Sequence, residues 1–491
     1  MHEPCDLQPC DLSATEARLL IGRKQLSPVA LVESCIARIE ALDPAINAVV
    51  ARGFEQARAR AREAEAAVLR GDALGPLHGL PVGVKDTENT AGLRTTYGSE
   101  LFRDHVPEAD DGAIAAIRGA GGIVLGKTNV PEWAAGANTR NRVYGATGNP
   151  FDPARSAAGS SGGSAAALAC GMVALATGSD LGGSLRNPAA FCGVVGVRPS
   201  PGLVPSERRT LGWSGLSVLG PMARTVADAA LLLRAMAGED RRDPLSGPVP
   251  DLAGRACDLS AVRAAFSPDL GFAPVEEGVA AVFEERAGLF RGAFARAVDE
   301  APDCAGADRA FAVLRGVGFL ADHLARVRET PDRVGPNVRA NVEEGLGYTA
   351  EDVAAALAAQ TALHRRWAAF FERYDVLVTP AITISPRPWT ELYPREINGR
   401  PTRSYFHWLA LAYAVTLAGC PAVALPCGLD RAGMPFGLQV VGRQGGDAAV
   451  LGVAAALEGL LAGDPRTARP VPDLARLRAA APISAAPGFL A

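Results

Sequence analysis

The chain has 491 residues, 48% hydrophobic and 21% charged, with 49 basic against 53 acidic side chains and a formal net charge of −4. That balance supports a sizeable buried core without metal or disulfide staples and excludes an intrinsically disordered chain. With no block of one sign, it also excludes the basic footprint of a nucleic-acid or anionic-membrane binder.

The first 75 residues read as a helical layer. Ser13 and Glu16 have capping-box spacing, and Ser27-Pro28 opens a second helix with proline at its first position. Val29, Val32, Ile36, Ile39 and Leu42 recur at three and four residues, which gives that helix one apolar face. Pro44 is expected to end it. Residues 54–69, rich in Ala, Arg and Glu, predict a third, solvated helix.

The texture changes at residue 76. Short apolar runs at 81–84, 123–125 and 194–197 alternate with Gly-rich turns and small-residue helical stretches, the pattern of an α/β sheet core. Residues 238–258 predict an exposed connection, and 275–374 are dominated by helical patterns. The run 375–380 (DVLVTP) then reads as a strand, and 421–441 adds strand-like runs that rejoin the sheet. Residues 156–179 and 408–429 are uncharged. The first has too short a solidly apolar part to span a membrane, and Gly419, Pro421 and Pro426 break the second into a buried helix, a turn and a strand at 422–425.

The nine cysteines, at 5, 10, 35, 170, 192, 257, 304, 420 and 427, contain no C-x-x-C. Their odd number and apolar settings predict reduced thiols in a cytoplasmic protein rather than a zinc site or disulfide framework. No basic segment followed by an apolar run opens the chain, so no signal peptide is expected.

Three motifs compete for the chemistry. Residues 121–128 fit the phosphate-loop pattern G-x-x-x-x-G-K-T, but the supposed loop holds Ile123-Val124-Leu125, which prefers a buried strand. Pro131 also disfavours the helix that must follow Lys127. A core strand is expected there, with Lys127 outside the catalytic set. Residues 159–163 match G-x-S-x-G, with Ser161 as nucleophile. That elbow needs a strand before it and a histidine in a later loop. Residues 152–158 (DPARSAA) make a poor strand, and His323, His364 and His407 all sit in helix-like segments.

The third constellation joins Lys85 to the loops 158–164 and 179–186. A lysine fixed at the end of a buried strand can lose its proton near neutral pH. The two Ser-Gly loops flank an uncharged small-residue helix, so both can return to one side of the sheet. Glycines before Ser184 free consecutive backbone N–H groups to converge on an oxyanion. A serine–lysine hydrolase without histidine is the chemistry these parts permit.

The run from Lys85 through Gly159-Ser160-Ser161-Gly162-Gly163-Ser164 to Asp180-Leu181-Gly182-Gly183-Ser184 resembles the amidase signature family, including the twenty-four-residue step from Ser160 to Ser184. Gly126-Lys127-Thr128-Asn129, Gly148-Asn149-Pro150, Phe191-Cys192-Gly193 and the tail 436–443 agree, so the resemblance covers nearly the whole chain and is weakest over about 240–370. It implies a Ser–Ser–Lys triad, with Ser184 as the acylated nucleophile. Ser160 is then the bridging serine, preceded by a cis peptide bond, and Lys85 the base. The resemblance also implies an oxyanion hole from the N–H groups of Leu181, Gly182, Gly183 and Ser184, and a pocket lined on its acyl side by Ala134 and Gly136. Asp180 and Arg186 would support the loop, and Cys192 would only pack.

The expected fold is α/β: a single α/β/α domain over 76–491 with a large mixed β-sheet core covered by helices, a helical layer at 1–75 and a variable helical insertion at about 240–370. The expected function is amidohydrolase, acting on a small-molecule amide, a carbamate or an oligomeric or cyclic amide. Neither cofactor nor metal is implied, and no nucleic-acid or membrane partner; a homodimer stays open. The alternative is the glutaminase subunit of a tRNA-dependent amidotransferase. The leaving-group side of the pocket is expected from the variable region, including Phe319, His323 and residues 337–341.

Overall fold

Pro81 can open a strand because the first strand residue needs no ladder N–H, and the apolar residues after it are buried on both faces. The computed structural model describes residues 8–252 and 256–490. Eleven strands there form one mixed sheet: β1 (Val49–Arg52), β2 (Pro81–Lys85), β3 (Ile123–Thr128), β4 (Leu175–Asp180), β5 (Val195–Arg198), β6 (Val218–Ala223), β7 (Arg263–Phe266), β8 (Arg296–Asp299), β9 (Val376–Pro380), β10 (Ala422–Leu429) and β11 (Pro435–Val441). Their order is β1-β3-β2-β4-β6-β5-β10-β11-β9-β7-β8. Helices cover this sheet as the outer layers of an α/β/α domain.

β3, β2 and β4 run parallel with β2 in the middle, so Thr128, Lys85 and Asp180 end their strands on the same edge. Ligand sites of open α/β sheets lie beyond such carboxyl ends. The helix Gly162–Ala169, wholly buried, rests on this edge. Its small residues permit the approach: a Cβ on Gly163 would stand 2.2 Å from Asn129 N, just past β3.

The capping box at Ser13 and the proline start at Pro28 form as expected. Pro44 does not end its helix, which runs Pro28–Ile46. The proline removes one N–H in the last turn only. The exit is set by Asn47, left-handed at φ 59°, and by the Asp43 carboxylate, which accepts from Ala48 N at 2.6 Å. The layer before residue 76 also contributes a strand, β1, on the sheet edge. Residues 152–158 contain a strand after all, Asp152–Ser156, but it pairs with Gly148–Asn149 in a two-stranded ribbon outside the main sheet, with a single bridge from Arg155 to Pro388. The region 240–370 is helical in the main, yet adds two parallel strands, β7 and, at the sheet edge, β8. Both are four residues long and too short for an alternating pattern to register. Residues 238–258 form no helix or strand where they are described; 253–255, like Cys5, lie outside the described residues.

Candidate active site

Lys85 closes β2 with 0% exposure, and its Nζ reaches three hydroxyls: Ser160 Oγ at 2.7 Å, Ser179 Oγ at 2.8 Å and Ser161 Oγ at 2.9 Å. An ammonium donates to all three; a neutral amine donates to two and can accept from the third. Burial pushes the Lys85 pKa well down, to about 7, while the negative charges of Glu88 and Asp180 hold it from falling further. The strand-end lysine therefore has the environment that its sequence position predicts.

Ser160 follows a cis Gly159–Ser160 peptide bond. Ser161 is the N-cap of the Gly162–Ala169 helix but caps no N–H with its side chain, which leaves its hydroxyl for Lys85. Ser161 N donates to Ser184 O at 3.3 Å and so ties the two serine loops together. Ser160, Ser179, Leu181, Gly182 and Ser184 all line a cavity of about 410 Å³. Ser184 is half-buried, and its hydroxyl makes no hydrogen bond among the described residues.

The loop carrying Ser184 is held by a buried ion cluster. Arg186 Nη2 meets Asp180 Oδ1 at 2.8 Å and Arg198 Nη1 meets it at 3.2 Å. Burial pushes the Asp180 carboxyl up, but the Arg186 charge and hydrogen bond, with Arg198, override it and hold the group well below the ordinary carboxylate range. One expectation changes here. Gly183 N–H, expected in the oxyanion hole, donates to Asp180 Oδ1 at 2.9 Å. Gly183 lies at φ 99°, where a Cβ would also strike Asn187. The N–H groups of Leu181, Gly182 and Ser184 remain without a partner among the described residues.

Ala134 and Gly136 line the same cavity, as do Phe319 and His323. Of residues 337–341, Asn337 stands behind Gly136, donating to Ala135 O at 2.9 Å. Burial, with Arg326 beside it, pushes His323 down to about 3, so its ring is neutral near pH 7. It packs among Trp133 and Phe319 at 5.2 and 5.4 Å. His364 bonds Ala418 O and His407 bonds Arg403, and among the described residues no histidine hydrogen-bonds the Ser161 hydroxyl, which meets Lys85 instead. Cys192 is buried, and its thiol is pushed well above its ordinary pKa by burial, which fits packing.

Sequence reasoning missed Ser179 and Glu88. Thr177 and Ser179 alternate onto one face of β4: the Thr177 hydroxyl accepts from Lys85 N at 3.0 Å and donates to Glu88 Oε2 at 2.6 Å. The same two-residue spacing beside a parallel β2 would have flagged Ser179. Glu88 is buried, and its Oε1 has no partner among the described residues.

Lys127 lies inside β3, fully buried, not in a phosphate loop. Its Nζ donates to Glu88 O and, at 3.0 Å, to Thr90 Oγ1, and its charge offsets the buried Asp86 and Glu88. Lys127→Ala is expected to destabilise the fold by about 3–5 kcal/mol, because two buried carboxyls lose their counter-charge. Denaturant unfolding measures this; an unchanged midpoint would contradict the charge-balancing role.

A protein-family model described as Amidase matches residues 30–451. An acylamidase of Rhodococcus erythropolis is 35% identical over 453 residues, covering 91% of this chain and 95% of that protein. A glutamyl-tRNA(Gln) amidotransferase subunit of Moorella thermoacetica is 35% identical over 484 residues, covering 91% and 96%. Among solved structures, a bacterial aryl acylamidase of the amidase signature family superposes with a TM-score of 0.86 at 27% identity, covering 97% of this chain and 99% of that one.

Proposed function

The chain belongs to the amidase family and is a hydrolase of amide carbon–nitrogen bonds, and from that premise we propose how its residues divide the work. Ser184 attacks the amide carbonyl. Its proton passes to Ser160, which gives its own to neutral Lys85. The N–H groups of Leu181, Gly182 and Ser184 receive the developing oxyanion. Lys85, now protonated, returns a proton along the same path to the leaving nitrogen. The amine departs, Ser184 stays acylated, and water repeats the sequence to release the acid. The observation that carries this reading is the buried Lys85 Nζ, 2.7 Å from Ser160 Oγ on the cavity that Ser184 faces.

The substrate is a small amide with an aryl or alkyl side that fits beside Trp133, Phe319 and His323, in line with the acylamidase relatives. A second reading, the glutaminase component of an amidotransferase, is favoured by the equal 35% identity to the Moorella thermoacetica protein. The isolated chain, assayed on acyl anilides in parallel with glutamine, separates the two. We expect anilide turnover without a partner; turnover of glutamine alone would overturn the acylamidase reading. The eight described cysteines are unpaired, which supports a cytoplasmic location. No helix among the described residues is long and apolar enough to cross a membrane.

A further inference from the structure

The helix Ala307–Glu329 lays one face along the cavity, and Arg315 on that face is 6% exposed. Its Nε donates to Asn341 Oδ1 at 3.0 Å and to Tyr405 Oη at 3.1 Å, and its Nη2 also donates to Tyr405 Oη. Both partners are neutral. Four ring centroids surround the guanidinium carbon: Phe319 at 4.8 Å, Tyr405 at 5.2 Å, Phe406 at 5.5 Å and Phe311 at 5.9 Å. Among the described residues Nη1 makes no hydrogen bond and no carboxylate pairs with Arg315. Asp308, two turns earlier on the same helix, is already held by Arg403 and Tyr413.

Arg186 and Arg198 provide the contrast within this chain, since both are fully buried and both share Asp180. Arginine cannot shed its charge, and ring faces with neutral oxygens offset only part of its desolvation. An anion entering the cavity would complete the site at the open Nη1. The distance to the chemistry is short: a Cβ on Gly182, two residues before Ser184, would stand 3.3 Å from Phe311 Cζ, and Phe311 is one of the four rings.

We propose that Arg315 is a specificity-determining residue that pairs with a carboxylate on the substrate, so that the amide this enzyme takes carries an acidic group a few bonds from the scissile carbonyl. The inference rests on the acyl transfer at Ser184 proposed above. Two matched pairs test it. The mono-anilide of glutaric acid against its methyl ester places the carboxylate on the acyl side. Acetylated 4-aminobenzoate against acetanilide places it on the amine side.

In at least one pair the acid should exceed its neutral partner in kcat/KM by roughly tenfold or more, mainly through KM, because a neutral partner leaves the guanidinium unpaired. Arg315→Gln should level that ratio and Arg315→Lys should keep part of it. Neutral partners preferred in both pairs, or an acid preference undiminished in Arg315→Gln, would overturn the inference while acyl transfer stood. If no anilide is turned over, the proposed function falls, and calorimetry with glutarate on Ser184→Ala still decides the site. Saturable binding lost in the Ser184→Ala, Arg315→Gln double variant supports it; no binding, or equal binding in both, overturns it.

Discussion

Replacing Lys85 by alanine is expected to lower kcat/KM by about 10²–10⁴-fold, the usual span of general-base catalysis, and to remove the acidic limb of the pH profile. The sign follows from the direction of the shift. Burial lowers the Lys85 pKa from its ordinary 10.5 to about 7, so below that pH the amine is protonated and cannot accept the proton relayed from Ser184. Activity should therefore rise through neutral pH and level off above it. An unshifted lysine would keep the profile climbing toward its ordinary pKa. Asp86, the neighbour in sequence, does not reverse this, because its carboxylate accepts from Thr96 N at 3.1 Å.

Glu88 and Asp180 are the buried carboxyls whose charge acts on Lys85, and the pKa of Glu88 is itself raised, first by burial. Glu88→Gln removes a negative charge that stabilises the ammonium, so the limb should move to lower pH. A limb that vanishes in Glu88→Gln but survives at reduced rate in Lys85→Ala would assign the titration to Glu88. His78 is no rival; it stands before the opposite end of β2 with its Nε2 on Ala64 O.

Ser184→Ala should abolish turnover, with a loss of roughly 10⁴–10⁶-fold, because the variant keeps the donors and the base but has no attacking atom. The fold should be untouched. The Ser184 hydroxyl makes no hydrogen bond among the described residues, so removing it should change stability by no more than about 0.5 kcal/mol. Ser160→Ala should fall between the two, since Lys85 keeps Ser179 and Ser161 as partners but loses its path to Ser184.

Much of this was legible in the sequence because the central strands are buried on both faces and read as short apolar runs: β2, β3 and β5 lie where those runs stand. The serine–lysine constellation was legible for a related reason. The glycines at 162, 163 and 183 stand where backbone or side chains leave no room for a Cβ, which makes the loops conspicuous. β1, β7 and β8 escaped because four residues hold no usable period, and they owe their strand form to neighbours already in the sheet. Pro44 misleads because the proline rule for helix interiors does not carry over to a last turn. The commitment of Gly183 N–H to Asp180 is tertiary, set by two distant arginines, and leaves no local mark. Arg315 looks like any helical surface arginine until the rings of Tyr405 and Phe406, some ninety residues on, close over it.

The central claim is that Ser184 carries the acyl group, and trapping it tests that claim most directly. The protein is treated with a fluorophosphonate, digested, and the modified residue located by mass spectrometry, with Lys85→Ala as a parallel sample. The adduct should fall on Ser184 and form far more slowly in Lys85→Ala. An adduct on Ser161, whose Oγ lies 2.9 Å from Lys85 Nζ, would contradict the assignment and make Ser161 the nucleophile.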